Sequence, residues 1–352
     1  MTSEGEPSIE DHQSHLWVKD IKEDDHVSGL YLAKAKRVGL TKKGDPFLSI
    51  TLADRTGEIE TRVWEKAEER SSLFREGDII DVEGYASTYR NQIQLTLSGL
   101  KVSEYGGDPS LFLETTPNDT TEMLGSLRKI LKGVKDSHLK DLVDKFLSDG
   151  HFVTLFKRSP AAKNFHHSYL GGLLEHTLSV CQMTQFVTKH YSELDKDILI
   201  TGAFLHDIGK IRELRYDLQI DYSDEGRLLG HLILGVAMVD EKLATLESFP
   251  QEFALRLKHI ILSHHGQYEF GSPKRPKFLE AFALHLIDDL DAKMNGLGRF
   301  MERDQQEGVW TDFNRMFERY FLKSKIPVAE EKAEPKPNGD ERQKTLFSSE
   351  TT

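Results

Sequence analysis

Ala203-Phe204-Leu205-His206-Asp207-Ile208-Gly209-Lys210 sets an imidazole and a carboxylate side by side inside an otherwise apolar run. Burying both groups among leucine and isoleucine is unfavourable unless something compensates, and a divalent cation compensates both at once. The run therefore predicts a metal site on a helix of the core. Further ligands of the same chemistry stand on either side of it: His176 in Gly171-Gly172-Leu173-Leu174-Glu175-His176-Thr177, His231 after Leu229-Gly230, the pair His264-His265, and Asp288 in Leu286-Ile287-Asp288-Asp289. Each lies on or at the end of a segment with helical apolar periodicity, such as 170–187 and 253–261, so a helical bundle is able to aim them at one interior point. Adjacent helical residues diverge by about 100°, so His264 and His265 both face that point only if the helix ends there, which Gly266 permits. Periodicity does not choose between Asp288, Asp289 and Asp291, since any acid turned inward there needs a cation partner. Lys210, four residues past His206, shares its face if the helix continues through Gly209; it then either stabilises charge on a phosphate or shields the helix end.

Upstream, the pattern is different. From Leu16 to Val102 short alternating runs (29–35, 47–52, 59–64, 79–82 and 92–97) read as five β-strands. Asp54-Arg55-Thr56-Gly57 makes a hairpin turn, with Gly57 expected at positive φ. Five strands in this length suggest a small closed barrel of the OB type, whose strand face and loops hold single-stranded oligonucleotides. Lys34, Lys36, Arg37, Lys42 and Lys43 cluster about the first connection, and Tyr31, Phe47, Trp64, Tyr85 and Tyr89 offer rings. Trp64 is expected in the core, while Tyr89, beside Arg90 and Asn91 at a polar loop tip, is the better candidate for base stacking.

The period changes beyond Tyr105-Gly106-Gly107-Asp108-Pro109, and Asn118-Asp119-Thr120-Thr121-Glu122 offers helix-starting residues. The expected organisation is a flexible 1–14, a nucleic-acid-binding barrel at 15–105, a linker at 106–117, a metal-dependent helical domain at 118–322 with helices to about Phe321, and a charged, proline-bearing tail at 323–352 that is too poor in apolar residues to order itself. In fold class this is a multidomain chain, all-β then all-α. The formal charge of −12 over 352 residues excludes broad duplex binding by the whole surface. The lone Cys181 excludes an internal disulfide and reads as a small buried hydrophobe. The polar N-terminus lacks a secretory pattern, and no apolar run approaches the roughly 20 residues a membrane span requires, so a cytoplasmic location with no membrane partner is expected. Apolar positions between Leu232 and Leu246 are expected to pack within the domain, a homo-oligomer being the alternative.

With its ligands in this order, the helical region resembles the HD phosphohydrolase superfamily. Residues 15–320 more narrowly resemble the YhaM-type 3'-to-5' exoribonucleases, through Ala161-Ala162-Lys163-Asn164-Phe165-His166-His167, the 171–177 run and Leu286-Ile287-Asp288-Asp289-Leu290-Asp291-Ala292-Lys293-Met294. The resemblance implies a metal held by His176, His206, Asp207 and Asp288, and a second metal bridged by Asp207 and completed by His231, His264 and His265. It also favours Asp288 over its neighbours, with Asp289 and Asp291 as supporting or capping groups. Nitrogen and oxygen donors without a thiolate suit Mn²⁺, or else Co²⁺ or Fe²⁺. His166 and His167 either touch substrate or complete a hydrogen-bond network. The implied activity is hydrolysis of single-stranded RNA, with DNA as a further substrate, from the 3' end to nucleoside 5'-monophosphates, with catalysis resting on Asp207 and Lys210 and strand retention on Lys34, Lys36, Arg37 and Tyr89. Two rival readings are a nucleotide or cyclic-dinucleotide phosphohydrolase, against which the fused barrel argues, and a nucleic-acid-binding protein with a structural metal, against which the number of ligands argues.

Overall fold

The computed structural model describes residues 15–323 apart from 42, 90, 91, 108–110, 218, 305 and 307. The expected flexible N-terminus, almost all of the expected disordered tail, and Lys42, Arg90 and Asn91 lie outside the described residues. The N-terminal part is a closed barrel of β1 (His26–Leu40), β2 (Pro46–Asp54), β3 (Gly57–Val63), β4 (Ile79–Tyr89) and β5 (Gln92–Val102), ordered β1-β2-β3-β5-β4, with a short helix α1 (Ala67–Ser72) between β3 and β4. Alternation sends Val27, Tyr31, Leu48, Ile50, Leu52, Ile59, Val63, Ile80, Val82 and Leu95 inward. The parallel pairing of Thr61 with Leu95 closes the barrel.

Three barrel expectations change. Gly57 does not take positive φ; Asp54, paired with it, holds the two-residue turn by accepting from Thr56 N and Oγ1 at 2.7 and 2.6 Å. Tyr31 is fully buried and its hydroxyl donates to the Leu16 carbonyl, so its ring presents no face to a ligand. Trp64 is 52% exposed rather than in the core, its ring centroid 5.6 Å from that of Phe47. It follows the last paired residue of β3, where alternation no longer dictates depth.

Residues 111–116 run on from the barrel: Phe112 packs with Leu32, Ala53 and Ile79, Arg55 N donates to Leu111 O at 2.8 Å, and Thr115 bridges Leu170. The helical body follows, with α2 (Thr120–Leu131), α3 (Ser137–Leu147), α4 (Gly150–Arg158), α5 (Gly172–His190), α6 (Lys196–Leu205), α7 (Lys210–Glu213), a hairpin of β6 (Leu214–Tyr216) and β7 (Ile220–Tyr222), α8 (Asp224–Leu243), α9 (Gln251–Ser263) and α10 (Leu279–Arg303). Aspartates cap the early helices: Asp119, Asp136, Asp149 and Asp195 each accept from backbone N–H groups of their first turn. After Asp197, α6 has no charged side chain, and every residue from Ile198 to Leu205 is buried. A helix apolar on all sides belongs at the centre of a bundle, and here it carries His206 and Asp207 to full depth. Phe146, Phe152 and Phe156 pack against its Phe204 with ring centroids 6.0–6.3 Å away. Leu232, Leu234, Met238 and Val239 of α8 are buried within the chain.

The described residues from Arg299 onward belong to a second unit. Helix extends only to Arg303, not to Phe321; among the described residues beyond it, bridges pair Trp310 with Leu322 and Asn314 with Arg319. Val309, Trp310 and Thr311 favour extended backbone, and Gly308 at φ 117° breaks any helical continuation. None of the helices among the described residues is long and apolar enough to cross a membrane.

Candidate metal centre

Five histidines converge here by one device: each ring uses Nδ1 to bond an oxygen of the surrounding protein and turns Nε2 inward. His206 and His264 sit at the C-caps of α6 and α9, and each donates Nδ1–H to the carbonyl three residues back, Ala203 at 2.8 Å and Ile261 at 2.9 Å. Those carbonyls lack a helical partner, so the cap satisfies the backbone and orients the ring together. His265 donates to Phe270 O at 2.9 Å, His176 to Asp291 Oδ2 at 2.7 Å, and His231 to Glu213 Oε1 at 2.9 Å. A carbonyl or carboxylate only accepts, so the tautomer follows in every case, and such outer partners are the usual support of metal-ligating histidines.

The inward atoms are close. His176 Nε2 lies 3.1 Å from His206 Nε2 and 3.1 Å from Asp288 Oδ1. Asp207 stands between two groups: Oδ2 is 3.4 Å from both His176 and His206, while Oδ1 is 3.4 Å from His264 and 3.6 Å from His231. His176, His206 and Asp288 offer one set of donor atoms within 4.8 Å of one another, and His231, His264 and His265 offer another.

These donors fit divalent ions. Two neutral imidazoles whose bare nitrogens face each other at 3.1 Å repel unless a cation or proton lies between them. Asp207 Oδ1 and His231 Nε2 are buried without a hydrogen-bond partner, which is costly for such groups and is relieved by ligation. The titration behaviour has the same sense. Burial opposes charge on His176 and His206, yet Asp207 and Asp288 outweigh it, holding His176 well above the ordinary histidine range and lifting His206 to about 9. Burial likewise opposes charge on Asp207, and Lys210 and His206 overcome it, so its carboxyl stays well below the usual carboxylate range. Without metal, protons supply the positive charge these carboxylates demand. In the other group burial prevails: His264 is lowered and His265 is pushed down to about 3.

Two glycines make the convergence sterically feasible. A Cβ on Gly209 would lie 2.0 Å from His231 O and 2.6 Å from Gly235 N, so only glycine lets α8 pack directly on the turn after Asp207. Gly266, at φ +80°, ends α9 just past the histidine pair and lies against His285, whose Nδ1 donates to His264 O at 2.8 Å. With α9 stopping at Ser263, both His264 and His265 turn toward the centre, their ring centroids 4.5 Å apart.

Other sequence candidates are placed differently. Lys210 reaches the centre, 2.6 Å from Asp207 Oδ2, but from the first turn of α7 rather than along a continuous helix from His206. His167 commits both ring nitrogens internally, Nδ1 with Tyr169 Oη at 2.9 Å and Nε2 to Asp291 at 3.1 Å, so it supports the centre and is not available for direct substrate contact. His166 lies 5.4 Å from His176 between ring centroids and keeps a buried Nδ1 without a partner. Burial, reinforced by Lys210 and His176, pushes its pKa down to about 2, so the ring is neutral. Asp289 turns out to an ion pair with Lys293 at 2.7 Å. On the barrel, Lys36 is tied to the carbonyls of Ser71 and Phe74 and serves as an anchor of α1, which withdraws it from strand binding. Lys34 pairs with Glu58, Arg37 is exposed, and Tyr89 is 58% exposed. Glu213 escaped the sequence reading altogether: it holds both the backbone N and the ring of His231, eighteen residues away, and no local pattern announces it.

A family profile described as an HD domain matches residues 173–293, and one described as an OB-fold nucleic acid binding domain matches 17–103. The chain is 35% identical over 299 residues to a 3'-5' exoribonuclease YhaM of Bacillus subtilis, covering 83% of this chain and 94% of the relative. Proteins of the same name from Shouchella clausii (35%, 83% and 92%) and Bacillus velezensis (34%, 83% and 94%) are similarly related. An OB barrel fused to an HD-domain metal centre, with this identity over nearly the whole length of those relatives, places the chain in the YhaM 3'-5' exoribonuclease family.

Proposed function

We propose that the chain is a metal-dependent 3'-to-5' exoribonuclease that hydrolyses single-stranded RNA, with single-stranded DNA as a secondary substrate, to nucleoside 5'-monophosphates. The observation that carries this reading is Asp207, whose two carboxylate oxygens face two separate groups of inward-turned imidazoles. Family membership and the fused barrel support it.

His176, His206, Asp207 and Asp288 would hold one ion, and Asp207, His231, His264 and His265 a second. We assign Mn²⁺, with Co²⁺ or Fe²⁺ as alternatives, because the donors are imidazole and carboxylate and the lone Cys181 is buried elsewhere in the core. Bound ions supply the Lewis acidity and positive charge that attack of water on a phosphodiester requires. Asp207 fixes the relation between the two groups, and Lys210, held on Asp207, is a buried ammonium that would stabilise charge on the reacting phosphate. Neutral His166 offers its unpartnered nitrogen to a hydroxyl at the strand terminus. Upstream nucleotides rest on the barrel, 15–105, where Arg37 and Tyr89 are exposed, while 118–322 cuts.

Metal analysis of the purified protein combined with degradation of a 3'-labelled oligoribonucleotide tests this. The expected result is two ions per chain and immediate release of the label as a mononucleotide. Hydrolysis confined to a panel of free nucleotides would overturn it.

A further inference from the structure

Two segments flank the metal centre, and an ion-pair cluster around Asp221 joins them. Lys163 stands three residues before His166 in the α4–α5 loop. The β6–β7 hairpin begins directly after Glu213, which holds His231, and runs into α8, which carries it. Lys163 Nζ reaches Asp221 Oδ1 across the gap at 2.7 Å. Arg227 Nη2 contacts both Asp221 oxygens at 3.0 and 2.9 Å, and Arg215 stands 4.0 Å away. Tyr222, partly exposed, has Lys163 Nζ 5.7 Å and Arg227 Cζ 6.0 Å from its ring centroid. At its other end the hairpin meets the barrel, where a Cβ on Gly77 would lie 3.7 Å from Gln219 Nε2.

Asp221 is shared by three cations, with Lys163 and Arg227 in direct contact at 2.7 and 2.9 Å and Arg215 at the margin. A purely structural tie needs one cation, which Lys163 already provides. The side chains of Arg215 and Arg227 remain 60% and 54% exposed, and an exposed pair at 4.0 Å contributes little to stability. Guanidinium groups beside an exposed ring match an anionic backbone carrying aromatic bases. We propose that this hairpin is a phosphate rail for the single strand between barrel and metal centre, Arg215 and Arg227 gripping phosphates and Tyr222 supporting a base. The proposal rests on the exoribonuclease reading.

The test is fluorescence anisotropy of a labelled, cleavage-resistant phosphorothioate oligoribonucleotide with the metal-loaded full chain, comparing the parent with the double variant Arg215→Gln, Arg227→Gln and with Tyr222→Ala. Loss of two phosphate contacts should weaken binding about tenfold or more and flatten the slope of log affinity against log salt by about 1.4, at roughly 0.7 per contact on single strands. Tyr222→Ala should weaken binding with the salt slope unchanged. Hydrolysis of bis(p-nitrophenyl) phosphate, too small to reach the rail, should be the same in all three proteins, which shows the variants folded and the centre intact. Equal affinity and equal salt slope in parent and double variant would overturn the rail. A parent that binds the phosphorothioate strand but degrades none of the unmodified oligoribonucleotide of the same sequence would instead overturn the exoribonuclease reading and leave the binding comparison standing.

Discussion

The two donor groups of the metal centre share Asp207 but differ in electrostatics. His176, His206 and Asp288 stand among carboxylates, with Asp291 behind His176, whereas His231, His264 and His265 are imidazoles alone, two of them backed by backbone carbonyls. The first group is deep, His176 and His206 being fully buried; in the second, His231 and His265 are only partly buried. Carboxylates in a dry site attract a cation strongly and, lacking a metal, take protons instead. The comparison teaches that the acidic group holds its ion tightly in competition with protons, while the imidazole group binds more weakly.

Breaking the shared member should have the largest effect. Asp207→Ala removes a donor from both groups, and loss of the ions' charge stabilisation, worth several kcal/mol, should lower turnover by about a thousandfold or more with the thermal transition retained. Oligoribonucleotide hydrolysis and circular dichroism together check this. Next, Asp288→Ala and His265→Ala set one group against the other. Asp288→Ala should weaken one ion beyond the roughly 100-fold typical of lost outer partners, while His265→Ala, at the more open group, should cost less than that; isothermal titration with Mn²⁺ reads both. Equal losses would show that the two groups are equivalent.

The supporting carboxylates sharpen the comparison further. Asp291→Asn and Glu213→Gln each keep shape but weaken the hold on one ring, His176 or His231, and each should reduce affinity at its own group by about 10- to 100-fold, with the other group's isotherm unmoved. The smallest effect concerns protons. His206, raised to about 9, and His176, raised in the same sense, hold positive charge between them in the metal-free chain at pH 7, so metal entering their group must expel it as a proton. Affinity there should fall as pH drops below about 9. His264 and His265 are lowered, the latter to about 3, and release none at neutrality. Titration heats in buffers of different ionisation enthalpy should therefore reveal release of about one proton or more as the first group fills.

Much of this centre was legible along the chain because its ligands sit where apolar periodicity stops. His206 and His264 mark the ends of buried helices, and Gly266 after His265 signals that both of the paired histidines escape a common helix. The acids of α10 were less legible: residues 288 and 291 are one turn apart on the same face, and sequence periodicity alone does not tell which meets the donor atoms and which stands behind His176. Trp64 was misplaced because average burial of tryptophan says nothing about a residue just past the last pairing of a strand. Lys36 looked like one of several loop cations until its ammonium met the end of α1, 35 to 38 residues away.

By itself the chain determined which elements form and which chemical types lie in them: an alternating barrel, an uncharged helix that had to be central, and imidazoles and carboxylates in places where apolar packing would exclude them uncompensated. Only the tertiary structure decided which nitrogen of each ring faces inward, that Asp207 divides its oxygens between two groups, and that Glu213 rather than a nearer acid steadies His231. Local propensity acts over a few residues, whereas ring orientation depends on an acceptor that folding delivers from as far as 115 positions away.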